Sequence, residues 1–273
     1  MASRAEPVAL PSGGTQLVRR WEASGPSWAL VLIVHGLGEH SGRYERVGQQ
    51  LATAGLSTHS FDLSGCGASS GRRADVESWS VYLDEVADRL LSLRSAGLPI
   101  VLFGHSMGGL IALEYVLSGR PAPDLLVLSA PGLGGGKRWQ RVVAPILAKL
   151  VPTLRVPSAI EGEQLSRDPK VGEAYFTDPM VLTYATARFG AEIFAAMNRT
   201  KAGLAKLTVP TYVFHGGADS LVPPQISLPL ADLPVVQRRV YPRLRHETFN
   251  EPEGQGVIED MITWLRDRLT PSG

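Results

Sequence analysis

The chain has 273 residues, of which 44% are hydrophobic, and its formal net charge is +1. This length and composition allow one large buried core, and the small net charge, without a run of Lys or Arg, argues against a nucleic-acid partner. A single cysteine excludes an internal disulfide and any cysteine-rich metal site. No apolar run approaches the roughly 20 residues of a membrane span, and the first thirty residues lack the pattern of a signal peptide. We therefore predict a cytoplasmic protein.

Short apolar segments of strand length alternate along the chain with segments of helical periodicity. Such alternation predicts an α/β fold, with a mostly parallel central sheet and helices on both of its faces. A last helix is predicted from about Glu253 to Leu269. The predicted strands are Gln16–Trp21, Ala29–Val34, Leu56–Phe61, Ile100–Phe103, Leu125–Ser129, Thr211–Phe214 and Val235–Tyr241.

The alternation stops between the strands Leu125–Ser129 and Thr211–Phe214. Three consecutive glycines open this region at Gly134, an apolar stretch follows from Trp139 to Val151, and prolines punctuate the remainder. A long irregular interruption of this kind is typical of an insertion that covers the sheet. We therefore predict that residues 134–200 form a helical cap and that residues 1–133 and 201–273 form the core.

A serine lies at the apex of a glycine-rich turn between a predicted strand and a predicted helix. The segment Gly104-His105-Ser106-Met107-Gly108 fits the G-x-S-x-G pattern of a nucleophile elbow, in which the glycines make room for a very tight turn. Such a turn exposes the serine hydroxyl and leaves the next backbone N–H, that of Met107, at the start of the helix. Because a serine hydroxyl is a weak nucleophile, the chain must also supply a base and an acid.

The base and the acid follow from chain order, because in folds with this elbow the acid follows the serine and the histidine comes last. Asp219 comes after a predicted strand and a short glycine turn, at the sheet edge where α/β sites lie. His246 is the only histidine after Asp219, whereas His215 ends a strand and is predicted to make local hydrogen bonds. We predict that Ser106, Asp219 and His246 form a catalytic triad.

The loop after the strand Ala29–Val34 carries His35-Gly36-Leu37-Gly38. Its glycines allow the Leu37 N–H to approach a substrate oxygen, so Leu37 and Met107 are the predicted oxyanion donors, and His35 is predicted to be a structural hydrogen-bonding residue.

The same loop supports a weaker interpretation as a dinucleotide-binding unit, with Gly36-x-Gly38 followed by Asp62. Ser41 occupies the place of that motif's third glycine. A non-catalytic binding protein on a hydrolase scaffold is a further alternative.

Several longer motifs resemble those of the monoacylglycerol lipase group of the α/β-hydrolases, which includes lysophospholipases. The motifs extend over nearly the whole chain, and "HGLGEHSGRY" is much more specific than "GHSMGG". The resemblance rests on these two and on "LSRDPK", "YFTDP", "LTVPTYVFHGGAD" and "HETFNEP".

The resemblance implies the triad and oxyanion residues given above, an acyl tunnel shaped by the cap, and a glycerol-binding end near Glu39, Arg43 and Tyr175. For Glu39 and Arg43 an alternative is a surface ion pair one helical turn apart. The chain departs from the family at "DLSGCGASSG", where Cys66 replaces a histidine and is predicted to be a small packed residue.

These observations predict a serine hydrolase that needs no cofactor or metal and cleaves monoacylglycerol to a fatty acid and glycerol. A broad-specificity carboxylesterase, a thioesterase and a lysophospholipase remain alternatives. The cap adds a possible second partner, because its apolar stripe suits either an interfacial helix that contacts lipid or packing against the core. The stripe contains Trp139, Val142, Val143, Ile146, Leu147, Leu150 and Val151, flanked by Lys137, Arg138, Arg141 and Lys149.

Overall fold

The computed structural model describes residues 2–10, 13–135 and 138–269, and for Arg138 it describes the backbone alone. An eight-stranded sheet lies at the centre, in the spatial order β1-β2-β4-β3-β5-β6-β9-β10. A separate two-stranded sheet pairs β7 with β8. The strands are β1 (Arg4–Ala9), β2 (Thr15–Trp21), β3 (Ala29–Val34), β4 (Leu56–Phe61), β5 (Ile100–His105), β6 (Leu125–Ser129), β7 (Arg155–Pro157), β8 (Tyr184–Thr186), β9 (Thr211–Gly216) and β10 (Val236–Tyr241).

Nine α-helices occur within the described ranges, and four single 3₁₀ turns accompany them. None of these helices combines the length and the hydropathy that a membrane span requires. The helices are α1 (Glu45–Thr53), α2 (Ser80–Arg94), α3 (Met107–Leu117), α4 (Arg138–Leu150), α5 (Gly162–Leu165), α6 (Pro169–Thr177), α7 (Ala187–Gly203), α8 (Leu228–Ala231) and α9 (Gly254–Leu269).

The six strands from β4 to β10 in the main sheet pair in parallel, and β1 and β2 add two antiparallel strands at one edge. Every residue of β3 is buried, since helices cover both sides of it. Leu30 and Leu32 pack with α2 and α3 on one face, while Val31 and Ile33 pack with α1 and α9 on the other. The predicted α/β fold with a mostly parallel sheet is confirmed.

Three strands were not predicted from the sequence. Strand β1 is exposed along almost its whole length and carries Pro7, so it lacks the apolar alternation that marks a strand. It is held by main-chain pairing with β2 at the edge of the sheet. Strands β7 and β8 have three residues each, too few for a detectable period.

Between β6 and β9 the chain leaves the main sheet and forms α4 to α7 and the small β7–β8 sheet. These elements fall within the predicted cap at residues 134–200. Gly136 and Lys137 of that range lie outside the described residues. The division into core and cap remains a prediction.

Candidate active site

Ser106 lies at the junction of β5 and α3 in a backbone conformation that side chains rarely adopt, with φ +52° and ψ −117°. The turn is fixed by hydrogen bonds from the Ser106 N–H to the Ser129 carbonyl (2.9 Å) and from the Gly132 N–H to the Ser106 carbonyl (2.8 Å). A Cβ at Gly104 would collide with the Gly108 carbonyl, and one at Gly108 with the Val34 carbonyl. The glycines of the elbow are therefore required by the fold itself.

Asp219 and His246 meet on the loops that follow the neighbouring parallel strands β9 and β10. The His246 Nδ1 donates to Asp219 Oδ2 at 2.7 Å, and both side chains are buried. The other carboxylate oxygen, Oδ1, accepts the Leu221 and Val222 N–H groups at 2.9 Å each. This arrangement fixes the orientation of the imidazole ring and leaves Nε2 as the nitrogen able to accept a proton.

The two partners shift each other's pKa in opposite directions. Burial alone would raise the pKa of Asp219, but hydrogen bonds from His215 and His246 outweigh it and hold that pKa far below its usual range. Burial alone would lower the pKa of His246, but the hydrogen bond and the charge of Asp219 raise it above its ordinary value. Asp219 is thus ionised whenever His246 accepts a proton.

A cavity of about 430 Å³ opens beside this pair. Ser106 and His246 both line it, as do the predicted oxyanion residues Leu37 and Met107. Met107 is the first residue of α3, so its N–H has no acceptor within the helix. The rest of the wall is mostly apolar and is formed largely by the region between β6 and β9: Leu110, Trp139, Val143, Leu147, Val156, Ile160, Ala185, Ile193, Phe194, Met197, Leu221 and Val222.

Two histidines near the site are confirmed as structural residues. His215 hydrogen-bonds to the Val222 carbonyl (2.7 Å) and Ser227 Oγ (3.0 Å), with Asp219 Oδ2 3.3 Å away. His35 contacts the Gly36 carbonyl at 2.8 Å, and its Nε2 accepts the Leu63 N–H at 3.0 Å. Their bonds fix the loops that carry Asp219 and Leu37.

A third histidine, His105, was not singled out by the sequence, where it occupies a variable position of the G-x-S-x-G pattern. Its ring lies 4.8 Å from that of His246, centroid to centroid, and its Nδ1 contacts Ser129 Oγ at 3.0 Å. Burial, assisted by His246, lowers the pKa of His105 to about 3, so the ring beside His246 is neutral.

Glu39 is buried and the Arg43 side chain largely so, and their interpretation as a surface ion pair is therefore wrong. Their side chains are 6% and 9% exposed, with Arg43 Nε 3.6 Å from Glu39 Oε1. Glu39 Oε2 also accepts the Gly36 N–H (3.0 Å) and the Tyr44 hydroxyl (2.9 Å). Burial would raise the pKa of Glu39, but Arg43 and these donors hold it below its usual value. By accepting the Gly36 N–H, Glu39 holds in place the loop that carries Leu37.

Arg43 also bonds Glu247, the residue after His246. Its Nη2 donates to the two Glu247 carboxylate oxygens at 2.6 and 2.9 Å, and its guanidinium lies 4.8 Å above the ring of Tyr175. Glu247 lies in the motif "HETFNEP" but was not predicted as a site residue, because its partner Arg43 is 204 positions away in the chain. The Tyr175 hydroxyl is buried and has no hydrogen-bond partner. None of Glu39, Arg43 and Tyr175 is among the residues that line the cavity beside Ser106.

Glu39, His105 and Glu247 are also the one group of possible metal ligands that comes together among the described residues, with ligand atoms within 4.8 Å of one another. Arg43 already supplies a positive charge to both carboxylates. We interpret the group as part of a buried ion-pair network.

The dinucleotide-binding interpretation fails at its acidic residue. Asp62 is fully buried, and its carboxylate accepts the N–H of Ser41 (2.7 Å) and of Ala68 (2.8 Å). It therefore holds two loops together and is unavailable to a ribose hydroxyl. Nearby, Cys66 is buried as predicted, and burial raises the pKa of its thiol to about 12, as expected for a packed and unreactive residue.

Known proteins resemble this chain in sequence and in fold. Residues 25–253 match the family described as serine aminopeptidase, S33. The chain is 34% identical over 271 residues to the monoacylglycerol lipase of Mycolicibacterium smegmatis, covering 94% of this chain and 95% of that one. It is 31% identical over 250 residues to phospholipase YtpA of Bacillus subtilis, covering 88% and 95%. The crystal structure of Paleococcus ferrophilus monoacylglycerol lipase superposes with a TM-score of 0.83 at 28% identity, covering 92% and 99%.

Proposed function

This chain belongs to the serine aminopeptidase S33 family and is a carboxylic-ester hydrolase, and we propose that it cleaves monoacylglycerol to a fatty acid and glycerol through an acyl-enzyme on Ser106. One observation carries the proposal. Ser106, the oriented His246–Asp219 pair and the N-terminus of α3 meet at one apolar cavity.

In the first half of the reaction, the Ser106 Oγ attacks the ester carbonyl carbon while the His246 Nε2 takes the hydroxyl proton. The Leu37 and Met107 N–H groups stabilise the negative charge that develops on the carbonyl oxygen. The tetrahedral intermediate collapses, the bond to the glycerol oxygen breaks, and His246 gives its proton to that oxygen. Ionised Asp219 stabilises the imidazolium in between.

In the second half, a water molecule takes the place of glycerol. His246 removes one of its protons, the resulting hydroxide adds to the acyl carbon, and a second tetrahedral intermediate forms against the same N–H groups. Its collapse releases the fatty acid and returns the proton to Ser106 Oγ. Because each proton taken by His246 is returned, no cofactor is needed to balance either half.

The cavity supports an acyl substrate. Its wall is built from aliphatic and aromatic side chains, and burying an alkyl chain there is favourable at about 0.8 kcal/mol per methylene group. Its volume lies within the range of about 300–1,000 Å³ typical of small-molecule sites. An extended fatty acyl chain is the ligand that best matches a wall with so few polar groups.

The charges around His246 favour a glycerol leaving group over a phosphodiester. Arg43 is the one cation of its network, whereas Glu39 and Glu247 supply two carboxylates, and His105 is neutral. An anionic headgroup entering here would be repelled by the excess negative charge. A lysophospholipid, which the phospholipase relative makes the second candidate, is therefore expected to be the poorer substrate.

The cap is proposed to contact lipid directly. On α4, Trp139, Val143 and Leu147 line the cavity, while Val142, Ile146 and Leu150 lie largely in solvent, the last with 74% of its surface exposed. α4 packs against α7 and Val143 and Leu147 are half-buried, but Trp139 is 59% exposed and the outer face has no partner among the described residues. An apolar face beside Arg141 and Lys149 suits reversible binding to a lipid surface that holds the substrate.

A hydrolysis panel with the purified protein tests the proposal. It compares mono-, di- and triacylglycerols, lysophospholipids, acyl-CoA thioesters and short p-nitrophenyl esters at matched acyl chains where the chemistry allows. We expect the highest kcat/KM for a monoacylglycerol. A higher kcat/KM for a lysophospholipid or a thioester would overturn the substrate assignment and leave the ester-hydrolase chemistry standing.

A further inference from the structure

The loop that carries His246 is hydrogen-bonded to Gln164 and to the segment "LSRDPK", residues 165–170. The His246 N–H donates to the Gln164 carbonyl at 3.3 Å, and the Glu247 N–H donates to the Leu165 carbonyl at 2.8 Å. The Arg245 guanidinium donates to the Ser166 carbonyl at 3.1 Å. Three consecutive residues centred on His246 thus depend on main-chain carbonyls of another part of the chain.

One buried carboxylate ties that segment to the histidine loop. Glu251 is fully buried, and its Oε1 accepts the Arg245 N–H at 2.7 Å. Its Oε2 accepts the Arg167 N–H (3.0 Å), Arg167 Nε (3.1 Å) and Ser166 Oγ (3.2 Å). Glu251 therefore contacts the residue before His246 with one oxygen and "LSRDPK" with the other.

Such an attachment matters because His246 lies on irregular chain between β10 and α9. A general base has to be held within a few tenths of an ångström of its productive position, and loops do this less well than helices or strands. On the inner side, Asp219 fixes the ring itself. On the outer side, Glu251 and the carbonyls of Gln164 and Leu165 fix the backbone.

We propose that Glu251 is a positioning residue for the hydrolytic reaction, which holds the His246 loop against the "LSRDPK" segment and so keeps Nε2 in line with Ser106. The inference rests on the proposed function of His246. It gives a role to "LSRDPK", which no step of the reaction uses. Loss of the carboxylate leaves the half-buried Arg245 and Arg167 N–H groups poorly paired, and the loop is then free to shift.

Glu251→Gln tests this against Glu253→Gln as the matched control. Glu253 also pairs with Arg167, but it is half exposed and hydrogen-bonds neither Arg245 nor Ser166. Each variant is titrated with a fluorophosphonate, so that rates are expressed per reactive serine, and kcat, KM and the pH profile are measured on a p-nitrophenyl ester. We expect Glu251→Gln to lower kcat about ten- to a hundredfold at nearly unchanged KM, and Glu253→Gln to match the wild type.

The pH profile separates positioning from a loss of folded protein. The groups that face His246 are Asp219, His105, Glu39, Arg43 and Glu247, and none of them is substituted. A displaced imidazole loses part of its bond to Asp219, so the acid limb of the profile should move to lower pH in Glu251→Gln. An unchanged limb and an unchanged rate per titrated serine would overturn the proposal.

If Glu251→Gln does not fold, Ser166→Ala and Arg167→Lys remove single donors to the same carboxylate. Their acid limb and their rate per titrated serine then decide in the same way. Failure of the proposed function itself gives a different result. In that case the wild type lacks activity or Ser106→Ala retains it, whatever the Glu251 variants do.

Discussion

Asp219 is the residue on which the acid–base chemistry of the site most depends. Its carboxylate accepts hydrogen bonds from two histidines and two backbone N–H groups, and it holds the His246 ring in the tautomer that can accept a proton. Replacement by Asn keeps the size of the side chain and removes the charge. We expect Asp219→Asn to lower kcat by about 10⁴.

The pH dependence of kcat/KM follows from the raised pKa of His246. The ring must be neutral to take the Ser106 proton, so kcat/KM falls as the pH falls through the His246 pKa, which lies above its ordinary value of 6.5. In Asp219→Asn the attraction of the carboxylate is gone and the pKa drops. The acid limb of the residual activity should then move to lower pH, and a limb that moves upward would contradict this role.

Tyr175 gives the most selective test of the glycerol-binding end. Its hydroxyl is buried without a partner and lies outside the cavity wall, so we expect the glycerol end of the substrate to extend past that wall and bond it. Losing a hydrogen bond of about 1–2 kcal/mol predicts a roughly five- to thirtyfold drop in kcat/KM for monoacylglycerol in Tyr175→Phe. The methyl ester of the same fatty acid should be hydrolysed as before, because it lacks the glycerol hydroxyls.

Tyr184→Phe, a second tyrosine between β6 and β9, is the control for the Tyr175 measurement. Glu39→Gln is expected to be less selective, because Glu39 also accepts the N–H of Gly36 in the oxyanion loop. It should slow both esters. If Tyr175→Phe likewise slows both esters equally, the headgroup role of Tyr175 is wrong.

What the sequence predicts at the scale of single residues depends on whether a local signal exists. Ser106 is marked by its glycines, and Asp219 and His246 by their order and their strands, and the structure brings the last two into contact. His105, Glu247 and Glu251 lie within the motifs "GHSMGG" and "HETFNEP", but the motifs do not indicate what these three residues contact. Their partners are up to 204 positions away in the chain, so only the folded structure reveals the contacts.

Among the elements, α4 makes the clearest prediction about the surroundings of the protein. Its outer face exposes Ile146 and Leu150, which are 54% and 74% exposed. Leu150→Glu and Ile146→Glu should each reduce co-sedimentation with liposomes several-fold, because a charged group resists transfer to the interface. Hydrolysis of a monomeric p-nitrophenyl ester should change little.

Leu91→Glu is the matched control for α4. Leu91 is 69% exposed on α2, outside the predicted cap, so the same substitution is made on an exposed apolar residue that does not line the cavity. It should leave liposome binding unaltered. Equal binding by the α4 variants and the wild type would favour packing as the whole explanation of the stripe.

Element boundaries show where periodicity is a sufficient signal. The strands β3, β4 and β6 have the predicted limits and are almost entirely buried, and for β3 and β6 the mostly apolar run is the signal from which the strand was predicted. β5 and β9 extend two residues beyond their predicted ends, into His105 and Gly216, where the chain turns toward the site. The exposed β1 and the three-residue β7 and β8 depend on pairing with other segments and left no pattern to detect.

For the whole molecule, chain order proved more informative than any single motif. Parallel strands direct all their following loops to one edge of the sheet, so Leu37, Ser106, Asp219 and His246 must converge once the strand order is set. The order β3-β5-β6-β9-β10 places these loops side by side. The attachment of the His246 loop to "LSRDPK" could not be predicted in this way, because it joins two irregular segments.

The most direct test of the central claim is the hydrolysis of monoacylglycerol by the wild type and by Ser106→Ala, with free fatty acid quantified and folding verified for both. The hydrogen bonds that fix the turn at Ser106 are made by its backbone, and alanine retains them, so the variant should fold. We predict a fall in kcat of about 10⁴–10⁶ in Ser106→Ala. Release of fatty acid at close to the wild-type rate by the folded variant would contradict the mechanism.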